Sequence, residues 1–419
     1  MEALKPFLNK VFNMNCLHLM REMPENSVDL IVTDPPYGLS FLDKSWDYDV
    51  PSKEIWAEAY RILKPGGNLL SFWSARTYHR GTTAIEDGGF EIRDQLLWIY
   101  TSGFPKGMDI SKGIDNRKFI DWVKTQPEKK SILFDKKRDY ILNKNVFFKD
   151  NNCEVKKKLY IDAKREYLRY KEELQKEAGT YRETIGYKKG GMGTGDSFGM
   201  YQTEKVKEIE EFDESIIPIT APATPEAKQW DGWETSLKPA HEPITLARKH
   251  LYKTVIDSVL TYKCGGINVK DCAIKGCTPN GDVILKHPPN IFYSCGCEKD
   301  YHENKECCFH DLRVNGNLDN FFYCSKIQPA ERSFIYNNQK YMNTHSTIKP
   351  KGIIRELIKL FATEGMVVYD PFCGSGTTPS VCIDLGLDWI ASEMDENYYN
   401  NIIIPRIKYE YEQKKQRLF

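Results

Sequence analysis

Asn26-Ser-Val-Asp-Leu-Ile-Val-Thr-Asp-Pro-Pro-Tyr-Gly38 joins a short apolar run to a stiff turn, and this junction fixes the reading of the whole chain. Asn26 to Thr33 has the pattern of a buried strand. The turn after it sits where ligands bind in open α/β sheets, beyond the carboxyl end of a strand. Working outward, Ser52 to Leu63 places Ile55, Trp56, Ala59, Ile62 and Leu63 at helical spacing, and Lys64-Pro-Gly-Gly67 is expected to stop that helix. Asn68 to Trp73 and Phe90 to Tyr100 read as strands. Strand and helix thus alternate over the first hundred residues, the signature of a mainly parallel, doubly wound sheet.

The alternation then breaks. Residues 116 to about 215 are rich in Lys and Glu, with Glu154 to Ala178 a candidate helix and Gly190 to Gly195 a glycine loop. Pro239 to Arg248 is expected to return the chain to the sheet. Residues 256 to 340 read as irregular and hold eight of the twelve cysteines. From Lys351 the alternation resumes: a helix from Gly352 to about Thr363, a strand Met366 to Tyr369, a glycine loop, a helix to Leu385, a strand Asp388 to Ser392 and a terminal helix from Asn397. There are no internal repeats.

Composition bounds the function. The chain has 419 residues, 41% hydrophobic and 28% charged, as in soluble globular proteins. No apolar run approaches the ~20 residues of a membrane span. The start Met1-Glu-Ala-Leu-Lys-Pro6 carries no signal-peptide pattern, so a reducing, cytoplasmic setting is the expectation, with thiols or metal ligands rather than disulfides. Formal net charge is zero, but residues 116 to 190 carry 21 Lys and Arg against 12 Asp and Glu. Such a segment suits phosphate tracking, or equally a solvated helical face.

Two motifs carry chemistry. In Thr33-Asp-Pro-Pro-Tyr-Gly38, the paired prolines stiffen the backbone and remove two N–H donors. The carboxylate of Asp34 and nearby carbonyls remain as acceptors, complementary to a primary amine with two N–H groups. Tyr37 adds an aromatic face suited to a planar base. In Asp370-Pro-Phe-Cys-Gly-Ser-Gly-Thr-Thr378, Gly374 and Gly376 permit a tight turn with backbone close to a ligand. Glu393 closes the next strand, where an acidic residue holds ribose hydroxyls. The third glycine of a pyrophosphate loop is replaced by Pro379, which disfavours a nicotinamide enzyme. Asp370 would repel phosphate but suits a cationic ligand.

Together the two motifs, in this order, resemble the beta class of amino-methyltransferases of DNA. Lys64-Pro-Gly-Gly67 and His345-Ser-Thr-Ile-Lys-Pro350 strengthen the resemblance. Gly103-Phe-Pro-Lys-Gly107, Pro222-Ala-Thr224, Trp230-Asp-Gly-Trp233, Leu237-Lys-Pro-Ala-His-Glu-Pro243 and Phe322-Tyr-Cys-Ser-Lys326 are similar to phage and prophage members. The resemblance covers roughly residues 10–115, 218–275 and 320–405, and it leaves the basic insertion unmatched.

It implies a Rossmann-like, seven-stranded methyltransferase sheet with a circularly permuted motif order and S-adenosylmethionine as methyl donor. Asp34, Pro35, Pro36 and Tyr37 become the catalytic loop. Asp370, Pro371, Phe372, Gly374, Gly376 and Glu393 line the cofactor, with His345, Thr347 and Lys349 close to it. The implied organisation is a catalytic half (1–115), a basic insertion (116–215), a return to the sheet (216–255), a Cys-rich target recognition region (256–340) and a cofactor half (341–419). DNA is the implied partner, its target base flipped out of the duplex, while a companion nuclease and the oligomeric state stay open. Asp at the head of the tetrad favours adenine N6 over cytosine N4. The same chemistry on RNA or protein, and a catalytically dead DNA-binding homologue, are the alternatives. A C5 cytosine enzyme would need a Pro-Cys nucleophile loop, and the chain has no Pro-Cys dipeptide.

Cys295-Gly-Cys-Glu-Lys-Asp-Tyr-His-Glu-Asn-Lys-Glu-Cys-Cys-Phe-His310 offers four thiols and two imidazoles, ligand types that suit a structural zinc, with His287 a further candidate. A loop of free thiols is the alternative. Cys264, Cys272, Cys277 and Cys373 read as packing residues.

Overall fold

The computed structural model describes residues 2–39, 48–100, 107–149, 154–189, 216–277, 283–294, 321–324, 327, 329–345 and 347–417. The chain divides into two compact units: Met1–Thr101 with Ala240–Phe419, and Ser102–Pro239. The second unit interrupts the first in sequence. Its bounds are wider than the insertion expected at 116–215.

The described strands, in chain order, are β1 Lys10–Phe12, β2 Val28–Thr33, β3 Leu63–Phe72, β4 Glu91–Tyr100, β5 Thr184–Lys189, β6 Ile216–Thr220, β7 His241–Arg248 and β8 Ile274–Cys277. They continue with β9 Val283–Lys286, β10 Ile291–Ser294, β11 Phe322–Tyr323, β12 Ser333–Tyr336, β13 Gln339–Met342, β14 Val367–Asp370 and β15 Asp388–Ser392.

The first unit is built on one sheet of order β1-β15-β14-β2-β3-β7-β4-β10-β11. All neighbours run parallel except β7, which is antiparallel to both β3 and β4. Every residue of β2 and β14 is buried, as central strands covered on both faces must be. Side chains alternate cleanly between two cores. Leu30, Val32, Leu70, Val368 and Trp389 face Ile353, Leu357 and Val381 of helices Lys351–Phe361 and Thr377–Leu385. Ile31, Leu69, Tyr369 and Ile390 face Leu19, Trp56, Ile62 and Ile85 of helices Cys16–Glu22, Lys53–Ile62 and Tyr78–Asp87. Helices on both faces make the sheet doubly wound. No helix among the described residues is long and apolar enough to cross a membrane.

Two features depart from the sequence reading. Among the described residues the sheet has nine strands where seven were implied, because β10 and β11 extend it beyond β4. Helix Lys53–Ile62 ends just ahead of Lys64-Pro-Gly-Gly67, as expected, and that stretch then lies in the first half of β3, with Lys64 Nζ donating to the buried Asp29 at 2.6 Å and a register shift in the pairing with β2 taking up the irregularity. The described parts of 256–340, expected to be irregular, hold regular elements: helix Val255–Tyr262, the antiparallel pairs β8–β9 and β12–β13, and strands β10 and β11. Gly190 to Gly195 lies outside the described residues.

The second unit holds helices Ile110–Lys124, Pro127–Lys149 and Glu154–Glu177 with the hairpin β5–β6. The two long helices pair antiparallel, joined by Lys129–Glu177 and Lys136–Glu166 ion pairs and by stacking of Tyr140 and Phe147 on Tyr160. Its base is a polar knot. The buried Asp115 accepts hydrogen bonds from Arg182 Nη1 (2.7 Å), the Ala223 and Thr224 amides and the Thr224 hydroxyl. Burial works against the Asp115 charge, but these donors outweigh it and hold the carboxyl below its usual range.

Candidate active site

β2 and β14 are neighbours in the parallel sheet, so the loops that follow them leave the same edge. Asp370, the last residue of β14, ties them together. Its Oδ1 accepts the Thr33 hydroxyl at 2.7 Å and the Phe372 amide at 3.1 Å. Burial pushes its carboxyl up to about 6. Asp370 therefore braces one loop against the other, a use that the expectation of a cofactor contact did not include.

Asp34 leaves β2 into an acidic cluster bound around one cation. Its Oδ1 accepts the Tyr37 hydroxyl and its Oδ2 the Lys349 ammonium, both at 2.6 Å. Lys349 Nζ also donates to the Tyr37 oxygen at 3.1 Å and lies 3.3 Å from Glu242 Oε2. The Tyr37 hydroxyl stands 3.3 Å from that same Glu242 oxygen, and the Tyr100 hydroxyl 3.4 Å from the other. Burial works against the charge on Lys349, but Asp34 and Glu242 outweigh it and hold the ammonium above its usual range. Burial lifts the Glu242 carboxyl above its usual range, and the Asp34 charge adds to the effect against Lys349. Burial and the same two carboxylates push Tyr37 well up.

Lys349 was expected close to the cofactor; the structure places its ammonium against Asp34 and Tyr37 of the loop after β2. Glu242 was not singled out as a site residue. The signal that could have found it was its place in Leu237-Lys-Pro-Ala-His-Glu-Pro243, a carboxylate just ahead of the apolar run of β7. An aromatic wall backs the cluster: Tyr37 lies against Trp73, and Trp56 lies between Trp73 and Phe372, with ring centroids 6.2 to 6.3 Å apart. The buried Trp73 Nε1 finds no hydrogen-bond partner among the described residues.

The glycine loop is shaped by its neighbours. Gly374 and Gly376 have φ of +56° and +78°. A Cβ on Gly374 would meet His345 Nε2 at 3.1 Å. Glu393 accepts the Gly374 amide on Oε2 and the Asp395 amide on Oε1, both at 2.8 Å. Each oxygen keeps lone-pair capacity for a further donor. Beneath the loop, the buried Arg406 donates to the Ser375 carbonyl at 2.9 Å. The His345 ring packs on Tyr398 with centroids 4.8 Å apart, and burial holds its pKa below the usual value. The Thr347 amide donates to His345 Nδ1 at 3.3 Å, while Thr347 itself is exposed. His345 thus packs beside the glycine loop.

The Cys295 to His310 stretch lies outside the described residues, and His287 is exposed. Among the described residues no group of three or more His, Cys, Asp or Glu is placed to hold a metal. Cys264, Cys272 and Cys373 are buried, as expected of packing residues; the side chain of Cys277 lies outside the described part.

A family model for N6/N4 methyltransferases, described as DNA methylase, matches residues 28–404. The chain belongs to this DNA methylase family. Among curated relatives of this methylase, the type II methyltransferase M.BglII of Bacillus subtilis is 30% identical over 145 residues, which is 31% of this chain and 39% of the relative. The type II methyltransferase M.HpaI of Haemophilus parainfluenzae is 32% identical over 100 residues, 22% of this chain and 32% of the relative. The chain therefore spans 32 to 39% of the length of these two relatives. A solved PvuII DNA methyltransferase, titled cytosine-N4-specific, aligns over 96% of this chain and 91% of its own at 13% identity and a TM-score of 0.40.

Proposed function

We propose that this methylase transfers a methyl group from S-adenosylmethionine to the exocyclic N6 amine of adenine at specific sites in DNA. The observation that carries the reading is the pre-set Asp34 carboxylate on its Pro-Pro loop, one strand away from the Gly374–Gly376 loop. The donor set suits the cofactor: Glu393 retains acceptor capacity at the end of β15, and a Cβ at Gly374 would fill the space beside His345. S-adenosylmethionine supplies an electrophilic methyl on a sulfonium centre.

The chain's residues do the rest. A base inside a duplex is out of reach, so the target is flipped out and packs against Tyr37. A carboxylate offers about four lone-pair sites, of which Lys349 and Tyr37 occupy two on Asp34. The remaining sites and the Pro35 carbonyl accept the two N–H groups of the amine. Its lone pair is then drawn out of conjugation and aimed at the methyl. Holding Asp34 from both sides removes the need to orient it at the moment of transfer, and this positioning is the main source of rate. Asp at the head of the tetrad supports adenine, and the type II names of the relatives support site-specific methylation.

Cofactor binding is tested by calorimetry with S-adenosylmethionine on the wild type and on Glu393→Ala. Binding to the wild type with loss in the variant is expected; equal binding by both would remove Glu393 from the cofactor site.

A further inference from the structure

We propose that Glu242 receives, through the Tyr37 hydroxyl, the proton that the target amine loses on methylation. The inference rests on the amine-transfer reading above. Transfer forms a bond from the amine nitrogen to the methyl carbon and breaks the methyl–sulfur bond, whose electron pair stays on sulfur. The nitrogen is then cationic and strongly acidic, and one N–H proton has to leave.

Asp34 is the nearest acceptor, but it is a poor resting place. Both its oxygens already take short hydrogen bonds, at 2.6 Å, from an ammonium and a phenol. A proton kept there would break an ion pair buried around Lys349, whose side chain is 7% exposed. Glu242 is held far more loosely, with contacts at 3.3 Å from Tyr37 and Lys349 and 3.4 Å from Tyr100. The Tyr37 hydroxyl lies between the two carboxylates. Once Asp34 Oδ1 holds the proton it no longer needs the Tyr37 hydrogen bond, so the Tyr37 O–H turns from Asp34 to Glu242 Oε2; Asp34 then passes its proton to the Tyr37 oxygen as Tyr37 passes its own to Glu242. An N–H bond is lost, an O–H bond is gained on Glu242, and Asp34 and Tyr37 end as they began.

Charge favours the same end point. Asp34, Glu242 and Lys349 together carry one net negative charge, which stabilises the developing cation during transfer. After proton uptake the buried cluster is neutral, the cheaper state in a low-dielectric site. The charged and titratable groups facing Glu242 are Tyr100 on β4, Asp34 and Tyr37 on the loop after β2, and Lys349 ahead of helix Lys351–Phe361. Burial lifts the Glu242 carboxyl toward the range where it can take up and later release a proton. Glu242 acts through Tyr37 and is a positioning residue, not one that touches the base.

Two readouts test this. The first is the infrared titration of protonated carboxyl groups in the protein without S-adenosylmethionine. A band that titrates above the ordinary carboxylate range and disappears in Glu242→Gln is expected; a Glu242 carboxyl that ionises in the ordinary range overturns the proposal. The second is single-turnover methyl transfer against pH. The wild-type rate should rise as Glu242 ionises. Glu242→Gln and Tyr37→Phe should each lose that limb and slow by roughly 100-fold, within the range of general acid–base effects, with cofactor affinity unchanged and partial rescue in Glu242→Asp. A Glu242→Gln enzyme with the wild-type rate and pH profile overturns the relay. A wild type that forms no methylated base overturns the amine-transfer reading instead, and the infrared result then decides on Glu242 by itself.

Discussion

Asp34 and Asp370 are two carboxylates on neighbouring strands with opposite surroundings. Asp34 is clamped by an ammonium and a phenol, so its value lies in acceptor geometry. Asp34→Asn, which keeps the shape but loses the charge, is expected to lower single-turnover methyl transfer by at least roughly 100-fold while leaving S-adenosylmethionine affinity intact by calorimetry. Asp370 is sealed in, and its pKa rises from 3.8 to about 6. A raised carboxyl pKa means that the folded state binds the proton more tightly than the unfolded chain does. Its stabilising effect is therefore complete below the unfolded value and is lost as pH rises through the folded one. Denaturation of the cofactor-free protein at pH 4 and pH 7 should show Asp370→Asn gaining on the wild type by up to about 3 kcal/mol, the equivalent of the shift. A stability difference that does not change with pH would mean that the carboxyl is not perturbed.

The glycine loop is where an element's geometry, more than any side chain, makes the site. Gly374 combines a left-handed backbone with the His345 ring 3.1 Å from where a Cβ would stand. Gly374→Ala is expected to cost about 1–2 kcal/mol in thermal or chemical denaturation and to weaken S-adenosylmethionine binding; a variant with wild-type affinity would show that the backbone there does not approach the ligand. Elements of this kind were largely legible from sequence. β2, β14 and β15 are short, mostly apolar runs that lead into motif residues, and helix Lys351–Phe361 has five buried residues at helical spacing. Helix Tyr78–Asp87 was missed because only Gly81 and Ile85 of its ten residues are buried. Lys64-Pro-Gly-Gly67 was legible as the end of helix Lys53–Ile62 but not as part of β3, because pairing with β2 overrides its low strand propensity. Glu242 and the position of Lys349 were out of reach for a different reason. They are partners only in three dimensions, and neither spacing nor periodicity records an ion pair between β7 and the segment before a distant helix.

At the scale of the whole molecule, the methylase sheet is interrupted by a unit with its own polar anchor. Composition changes only near residue 116, but the unit begins earlier: Met108 to Ile110 pair with Trp233 to Thr235, and Asp115 gathers Arg182 and Thr224 from the far end of the same segment. Asp115→Ala leaves Arg182 without its buried partner and should cost about 3–5 kcal/mol. Hydrogen exchange should show the loss in residues 107–239 while S-adenosylmethionine binding to the first unit is retained; faster exchange across β2 and β14 as well would mean that the two units unfold as one. In the wild type the Asp115 contribution is present above the usual aspartate value and is lost as pH falls through its lowered folded value.

The central claim is amine methylation at a flipped base, and the most direct measurement is transfer from labelled S-adenosylmethionine to mixed-sequence duplex DNA, followed by digestion to nucleosides and mass spectrometry. Label in N6-methyladenine, absent with Asp34→Asn, is the predicted result. N4-methylcytosine would retain the chemistry and correct the base. Label in C5-methylcytosine, or no labelled base from a protein that binds the cofactor, would contradict the account.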